Sequence, residues 1–511
     1  MAKGKVYLIG AGPGDPDLIT VKGLGCISEA DVIVYDNLVN KVLLDSAKSG
    51  AEIIFVGKVG GLHTVPQDKI NALLVKKARS GKIVARLKGG DPFIFGRGGE
   101  EAEELARAAI PFEVVPGVTS AVAAPAYAGI PLTHRKHTSS VAFVTGHEAT
   151  AKGGSSVPWD NVATSKGTIV FLMGVKNLAH NVARLIEHGR DPRTPIALIR
   201  WGTTAQQETL VGRLDNIVDL AEERGMRPPV VAVVGEVVAI RERINWFEGN
   251  PLFGRRIMVT RSREQASGLS SLLAREGAEP YEFPTIATVA PESWRAVDRA
   301  IRRLSRYEWA IFTSVNGVKC FFDRLVDVGK DLRELKGVKI AAIGPATAEA
   351  VEALGIPVDI TPQEYRAEGL LKGLGWRRIR GKRFLLPRAL VARDILPEEI
   401  VRLGGKIDVV PVYRTIRPRG KREEARRLLK DGEIDAVTFT SSSTVSNFLA
   451  MFKKGEGVAL LENTKVACIG PITADTARQY GVEVDIMASR YTMSGLTAAM
   501  GGSFSGEERA E

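Results

Sequence analysis

The second half of the chain contains an internal repeat, and this repeat constrains its fold more than any other feature. Residues 256–261 (RIMVTR) resemble 383–388 (RFLLPR), and 339–345 (KIAAIGP) resemble 465–471 (KVACIGP). The members of each pair are about 127 residues apart. This period is much longer than the ~20–50 residues of solenoid repeats, and each unit is long enough to be a domain. The repeat therefore predicts two similar α/β lobes facing a cleft.

The first half of the chain alternates short β-branched runs with helical patterns. Residues 6–9 and 31–35 have the composition of buried strands, and a helix is predicted between them over 18–30. Another strand over 83–87 precedes a glycine-rich stretch and a helix over 100–109. This alternation is typical of an α/β domain with a largely parallel sheet.

A second α/β unit is predicted from residue 141 onwards, where short apolar strands recur. A turn-rich stretch follows it and separates the two halves of the chain. The fold class is therefore predicted to be α/β throughout. The predicted domain boundaries are a first region at 1–247, with subdomains at about 1–130 and 131–247, a linker at 248–254, a second region at 255–498 and a flexible tail at 499–511.

Composition narrows the possible functions. The formal net charge of +11 can attract nucleic acid, an anionic membrane or an acidic metabolite. No zinc finger, RNP motif or basic heptad array accompanies the charge, so we expect no nucleic-acid partner and favour a polyanionic substrate. The three cysteines are far apart, which predicts no metal site. Because the sequence has no apolar run long enough to span a membrane and no signal peptide, we expect a cytoplasmic protein without membrane contact.

Residues 10–15 (GAGPGD) lie between a predicted strand and a predicted helix. Glycines at such a position let the backbone approach a ligand closely. The spacing is G-x-G-x-G rather than the dinucleotide pattern G-x-G-x-x-G, and Pro13 lacks the amide that a pyrophosphate would use. The stretch is therefore either a tight structural turn or a ligand site of another kind.

Residues 89–101 (GGDPFIFGRGGEE) form a more specific motif. Glycine occupies five of these thirteen positions, at a strand end before an acidic helix start. Such a loop can wrap around a ligand, and Asp91 can bind ribose hydroxyls or a positive group. A turn or helix cap would also explain Asp91 but would not require so many glycines.

Together with residues 35–39, 56–58, 116–120 and 145–147, these two motifs resemble the tetrapyrrole methylases, and most of all uroporphyrinogen-III C-methyltransferase. The resemblance covers roughly residues 3–247. It implies two α/β subdomains with S-adenosylmethionine in the cleft between them, and a homodimer. It also implies that the following residues contact the methyl donor: Pro13, Gly89, Gly90, Asp91, Ile94, Thr119, Ser120, Met173 and Gly202.

The same resemblance implies that Asp36 accepts a proton and that Lys58 donates one. Methylation of a pyrrole carbon passes through a cationic intermediate and ends in proton loss, so a positioned carboxylate and ammonium suit the chemistry. Two alternatives stay open. Asp36 follows a strand, where aspartate is also a common turn residue, and Lys58 can bind a substrate carboxylate instead.

The second region has no nucleophile motif and no metal-binding cluster in its sequence. It offers hydroxyls and backbone amides at paired loops, 313–317 with 440–443 and 344–347 with 470–473. Such loops at helix N-termini bind carboxylates well. Serine and threonine are also ordinary helix N-caps, so the sequence leaves both roles open.

These paired loops, with residues 260–261 and 411–415, resemble uroporphyrinogen-III synthase over roughly residues 254–498. The resemblance implies two flavodoxin-like lobes that use no cofactor. It implies that Tyr413 assists departure of the substrate hydroxyl. The sequence leaves open the alternative that Tyr413 packs between the lobes as a strand residue. Substrate binding is expected at these positions: Arg261, Thr313, Ser314, Asn316, Thr347, Thr440, Ser441 and Thr473.

The two resemblances together predict a bifunctional enzyme. It is expected to cyclise hydroxymethylbilane, with inversion of ring D, to uroporphyrinogen III and then to methylate C2 and C7, which gives precorrin-2. One alternative is a methylase for another tetrapyrrole or corrin intermediate, with a degenerate synthase domain. Another is a non-catalytic protein that binds S-adenosylmethionine, or nucleic acid through its positive charge.

Overall fold

The computed structural model describes residues 4–57, 65–147, 157–261, 263–364, 367–391, 394–418 and 420–507. The chain forms two compact units. The first comprises Met1–Ile257, Leu272–Pro280 and Met500–Glu511, and the second comprises Met258–Ser271 and Tyr281–Ala499. Within the described ranges, no helix is both long and apolar enough to cross a membrane.

Within its described residues, the first subdomain of the first region has five strands and four α-helices: β1 (Lys5–Gly10), α1 (Val21–Glu29), β2 (Val32–Tyr35), β3 (Glu52–Phe55), α2 (Gln67–Arg79), β4 (Ile83–Lys88), α3 (Gly98–Arg107), β5 (Phe112–Val115) and α4 (Ser120–Tyr127). Its sheet has the order β3-β2-β4-β1-β5 and is parallel throughout. Apolar side chains of the central strands are buried on both faces, as in other helix-covered parallel sheets.

The second subdomain is also α/β, but its sheet is mixed. Its elements are β6 (Val141–Thr145), α5 (Trp159–Thr164), β7 (Thr168–Leu172), α6 (Leu178–Glu187), β8 (Pro195–Arg200), β9 (Glu208–Arg213), α7 (Ile217–Glu223), β10 (Val230–Val234) and α8 (Arg241–Ile244). The order is β6-β7-β10-β8-β9. Only β6 and β7 pair in parallel, whereas β7–β10, β10–β8 and β8–β9 are antiparallel.

The second region contributes ten strands and twelve helices among the residues described. They are β11 (Arg256–Val259), α9 (Arg263–Arg275), β12 (Glu279–Glu282), β13 (Ala287–Val289), α10 (Arg295–Ile301), β14 (Trp309–Phe312), α11 (Val315–Asp327), β15 (Lys339–Ala342), α12 (Pro345–Glu352), α13 (Ala367–Leu374), α14 (Trp376–Ile379), β16 (Arg383–Ala389), α15 (Ile395–Arg402), β17 (Lys406–Ile416), α16 (Arg422–Lys430), β18 (Ala436–Phe439), α17 (Ser442–Leu449), α18 (Glu456–Ala459), β19 (Lys465–Cys468), α19 (Pro471–Gln479), β20 (Ile486–Met487) and α20 (Met493–Glu507).

These strands form two sheets, in the orders β12-β11-β18-β19-β20 and β13-β17-β16-β14-β15. The two lobes were expected to correspond to the two sequence repeats, and that expectation is wrong. Strands β11 and β12 of the first repeat join β18–β20 of the second, while β16 and β17 of the second join β14 and β15 of the first. Each lobe therefore combines parts of both repeats. The α/β fold class itself is confirmed.

The predicted flexible tail begins inside the last helix. Helix α20 extends to Glu507, and Met500 and Phe504 on it are buried. The tail prediction is therefore wrong for residues 499–507, because apolar side chains spaced four apart lie on one face of a helix and can be buried together. Residues 508–511 lie outside the described part of the chain.

Candidate active sites

Three glycines bring strand ends of the first subdomain together, backbone against backbone. Gly10 ends β1, Gly90 follows β4 and Gly117 follows β5. Gly90 N–H donates to Gly12 O at 2.6 Å, and Gly12 N–H donates back to Gly90 O at 3.3 Å. A Cβ on Gly117 would lie 2.4 Å from Gly90 O and 2.6 Å from Gly10 Cα, so no larger residue fits. Gly90 also has φ +69°, in the left-handed region that favours glycine.

The loop that contains Pro13 lies against the second subdomain. A Cβ on Gly14 would lie 2.7 Å from Thr204 Cγ2, and Asp15 N–H donates to Thr203 Oγ1 at 3.0 Å. Gly202 packs on α4, since a Cβ there would lie 2.4 Å from the Cβ of Ala124. The predicted donor-contact residues Pro13 and Gly202 therefore belong to two loops that touch each other.

Asp91 holds the loop that follows β4. Its carboxylate accepts a hydrogen bond from Phe93 N–H at 2.8 Å and another from Gly117 N–H at 2.9 Å. The turn role that the sequence left open is thus present. An ionised carboxylate has about four acceptor positions, so two remain for a ligand.

Four other predicted donor contacts surround or adjoin this loop. Thr119 caps α4, accepting from Ala121 N–H at 3.3 Å, and Ser120 N would lie 3.6 Å from a Cβ on Gly90. Gly89 lies against Leu38, and the Ile94 side chain is exposed.

Met173 lies in the second subdomain, at the end of β7. Its φ is +59° and about half of its surface is exposed. The next residue, Gly174, lies against Gly146, and the buried Asn181 amide donates to the Gly146 carbonyl at 3.2 Å. These contacts fix the Met173 backbone at the end of β7. Its donor contact stays a prediction.

Asp36, the predicted proton acceptor, is held by a buried charged cluster that sequence reasoning missed. Arg86 Nη2 donates to Asp36 Oδ2 at 3.2 Å, and Arg86 Nε donates to Glu101 Oε1 at 3.2 Å. Lys88 Nζ donates to the same Glu101 oxygen at 2.9 Å. Burial lowers the pKa of Lys88. Lys58, the predicted proton donor, lies outside the described residues.

Two charged residues in a central strand of the sequence indicate this cluster. Arg86 and Lys88 stand at alternate positions in an apolar strand, so both side chains point to the same face. Charged residues inside a central strand are rarely buried unless they are paired. Glu101 on α3 supplies the pairing, and its side chain is fully buried.

In the second region, two predicted residues share a hydrogen bond, and a third forms a separate one at the start of the same helix. Ser314 Oγ and Tyr413 Oη are 3.1 Å apart, and Ser314 also accepts from Gly317 N–H at 3.0 Å as the N-cap of α11. Asn316 Nδ2 donates to Thr288 Oγ1 at 3.1 Å. Thr313 adjoins Ser314 in sequence, and Thr347 is buried in the first turn of α12.

The remaining predicted substrate residues lie on the sheet that contains β18 and β19. Ser441 caps α17 in a reciprocal capping box, directly after Thr440, and Thr473 is buried in α19. Arg261 follows β11, where burial lowers its pKa. The capping role of Ser314 and Ser441 is thus observed, whereas their ligand role stays a prediction.

Two protein-family models match this chain, one in each half. The family model for tetrapyrrole (corrin/porphyrin) methylases matches residues 5–218, and the model for uroporphyrinogen-III synthase HemD matches residues 267–498. Among solved structures, uroporphyrin-III C-methyl transferase from Thermus thermophilus, complexed with S-adenyl homocysteine, is 39% identical. That match covers 46% of this chain and 94% of the other, with a TM-score of 0.40.

Two curated relatives extend the comparison. The porphyrin biosynthesis protein HemD of Ruminiclostridium josui is 39% identical over 496 residues, which is 97% of each chain. The uroporphyrinogen-III C-methyltransferase of Priestia megaterium is 57% identical over 235 residues, covering 46% of this chain and 98% of the other. The chain therefore belongs to the tetrapyrrole methylase family over its first region and to the uroporphyrinogen-III synthase family over its second, and is a two-domain enzyme of tetrapyrrole synthesis.

Proposed function

We propose that the chain catalyses two consecutive steps. The second region closes linear hydroxymethylbilane to uroporphyrinogen III, with loss of water and inversion of ring D. The first region then transfers methyl groups from S-adenosyl-L-methionine to C2 and C7 of this macrocycle, and the product is precorrin-2. The order follows from the chemistry, since the product of the first step is the substrate of the second.

The observation that carries the proposal is the convergence of four stretches, residues 10–15, 89–91, 116–120 and 202–204. Three of them follow the carboxyl ends of β1, β4 and β5, which is where open α/β sheets bind their ligands. Asp91 retains two acceptor positions, which suits the two hydroxyls of a ribose. These residues therefore fit a nucleoside methyl donor.

When bound, S-adenosylmethionine supplies an electrophilic methyl group. We assign to Asp36 the removal of the proton that the methylated pyrrole must lose. Arg86 holds one oxygen of that carboxylate from the buried side, so the group is oriented before the substrate arrives. The role of Lys58 as proton donor rests on family resemblance alone.

In the second region we assign to Tyr413 the protonation of the departing hydroxyl of the bilane. Ser314 lies within hydrogen-bonding distance of the phenol and is itself fixed as a helix cap. The carboxylates of the bilane are proposed to bind Arg261 and the helix N-termini that begin after Ser314 and Ser441. Holding the two chain ends close together is the main catalytic requirement of a cyclisation.

A coupled assay tests the proposal. Purified full-length protein, incubated with hydroxymethylbilane and methyl-labelled S-adenosylmethionine, is expected to yield doubly labelled precorrin-2. Unlabelled type III porphyrinogen as the sole product would overturn the methyltransferase assignment. Type I porphyrinogen alone would overturn the synthase assignment.

The alternative, a methylase for a later corrin intermediate, is separated by competition. Uroporphyrinogen III is expected to outcompete such intermediates for the labelled methyl group, and the reverse order of preference would favour the alternative.

We also propose a homodimer formed through the first region. Sedimentation velocity of the full-length protein tests it, and a monomer at micromolar concentration would contradict it.

A further inference from the structure

The residue that ends the predicted donor loop is held at three points. The Asp15 carboxylate accepts from Asp17 N–H at 2.9 Å and from the Tyr127 hydroxyl at 2.7 Å. Its backbone N–H donates to Thr203 Oγ1 at 3.0 Å. Asp15 stands two residues after Pro13, so its position sets the path of the loop that is proposed to contact the donor.

Tyr127 is in turn packed by the segment that closes the first region. Its ring lies edge-on to Trp246 and Phe247, with centroids 5.0 and 4.8 Å away. The Trp246 indole N–H donates to the Ala126 carbonyl at 3.0 Å, which fixes the end of α4 where Tyr127 stands. Burial, with the hydrogen bond to Asp15, raises the pKa of Tyr127, so the hydroxyl stays protonated and donates.

A second chain of hydrogen bonds reaches Asp15 from the same segment. Glu248 accepts from Gln207 Nε2 at 2.8 Å, and Gln207 Oε1 accepts from Thr203 N–H at 2.8 Å. Thr203 then accepts from Asp15. Thr203 has φ +71°, a conformation that non-glycine residues rarely adopt and that surrounding contacts must hold.

From these two converging routes we propose that Tyr127 and Thr203 are positioning residues for methyl-donor binding. Both residues contact Asp15 and are themselves held by the segment 246–248, so they fix the position of the loop at Pro13. Neither residue needs to touch the donor. The inference rests on the proposed function of the first region and assigns part of donor affinity to residues outside the glycine motifs.

The test measures binding of S-adenosylhomocysteine to the full-length protein by titration calorimetry. Tyr127→Phe keeps the ring packing and loses only the hydroxyl, and Thr203→Val loses only the acceptor. Each is expected to weaken binding by about fivefold to tenfold, an effect in the range for loss of one typical intramolecular hydrogen bond. Thr203→Ser keeps the acceptor and is expected to restore most of the affinity.

The chain offers a matched control. Tyr307 in the second region donates to Asp408 at 2.6 Å and also has its pKa raised by burial. Tyr307→Phe removes an equivalent hydrogen bond and is expected to leave S-adenosylhomocysteine binding unchanged. Its Tm is expected to fall slightly, by about as much as that of Tyr127→Phe. Unchanged binding in both Tyr127→Phe and Thr203→Val, or equal weakening in Tyr307→Phe, would overturn the inference. Absence of heat with the wild-type protein would instead overturn the proposed donor site, and the inference with it.

Discussion

The two regions build their candidate sites from different materials. In the first region, the site consists largely of backbone, because Gly10, Gly90 and Gly117 meet without side chains. In the second region, the site consists of side-chain hydroxyls such as Ser314 and Tyr413, set on sheets that interleave the two repeats. A backbone site leaves a readable glycine pattern in the sequence. In the sequence, the serines and threonines of a hydroxyl site cannot be distinguished from ordinary helix N-caps, and only the fold shows which of them lie close together.

The regions also differ in how they carry charge. The first has a buried cluster in which Glu101 forms ion pairs with both Arg86 and Lys88. Among the described pairs of the second region, Asp298 and Arg324 form a well-aligned ion pair that keeps about a fifth of each side chain exposed. Burial makes the loss of one partner costly, whereas exposure lets water replace it.

The largest expected effect tests this difference in charge. Glu101→Gln removes the carboxylate that two buried cations share, although Arg86 keeps its ion pair with Asp36, and we expect the first region to lose about 3–5 kcal/mol of stability. Asp298→Asn is the control in the second region, with an expected cost of about 0.5–1 kcal/mol. Thermal and urea unfolding of the full-length protein measure both, and similar costs would contradict the comparison.

The next effect concerns the hydroxyl site. Tyr413→Phe is expected to lower formation of type III porphyrinogen by about 100-fold, the usual contribution of a general acid. S-adenosylhomocysteine binding should not change, because the proposed donor site lies in the other region. Tyr307→Phe is the control for loss of a buried tyrosine hydroxyl in the same region. If Tyr413→Phe retains the wild-type rate and isomer ratio, Tyr413 has no acid role.

Glycine substitutions compare the two kinds of site directly. Gly117→Ala places a Cβ against backbone atoms of Gly10 and Gly90, and we expect a loss of about 1–3 kcal/mol together with weaker S-adenosylhomocysteine binding. At Gly470, which precedes α19 with extended backbone, the three atoms nearest to a Cβ would all belong to the exposed Tyr491 ring, the nearest of them 3.1 Å away. Gly470→Ala should therefore cost no more than about 0.5 kcal/mol. The Tm of each variant, measured by calorimetry, tests this difference. Equal falls in Tm for Gly117→Ala and Gly470→Ala would contradict the dependence of the first site on close backbone contact.

The smallest expected effect concerns surface charge in the first region. Lys22 and Lys5 hold the pKa of Glu113 at about 2, below its ordinary 4.5. Because the folded-state pKa is lowered, the stabilisation is present above pH 4.5 and is lost as the pH falls toward 2. Glu113→Gln should therefore lower Tm slightly at pH 7, and the difference from wild type should disappear in acid. A difference in Tm that stays constant from pH 7 to pH 2.5 would contradict the assignment.

Much of the first region could be predicted from sequence because its elements are contiguous. Strands at 6–9, 31–35 and 83–87 were recognised within a residue or two, since their apolar runs are local features. Strand β9 was not predicted, because on an edge of the mixed sheet its pattern is half polar. The complete charged cluster could not be predicted from the sequence because Glu101 lies on α3, and only the packing of α3 brings its carboxylate to the two cations of β4.

By itself, the sequence determined the α/β class, the division into two regions and the location of the glycine-rich turns. These depend on local backbone geometry and on apolar periodicity, which a single stretch of chain expresses. Tertiary structure alone decided that the repeats interleave, that Glu101 faces two cations and that Tyr127 holds Asp15. Such pairings join residues on different helices, strands and loops, and they form only when packing brings those elements together, so no local pattern encodes them.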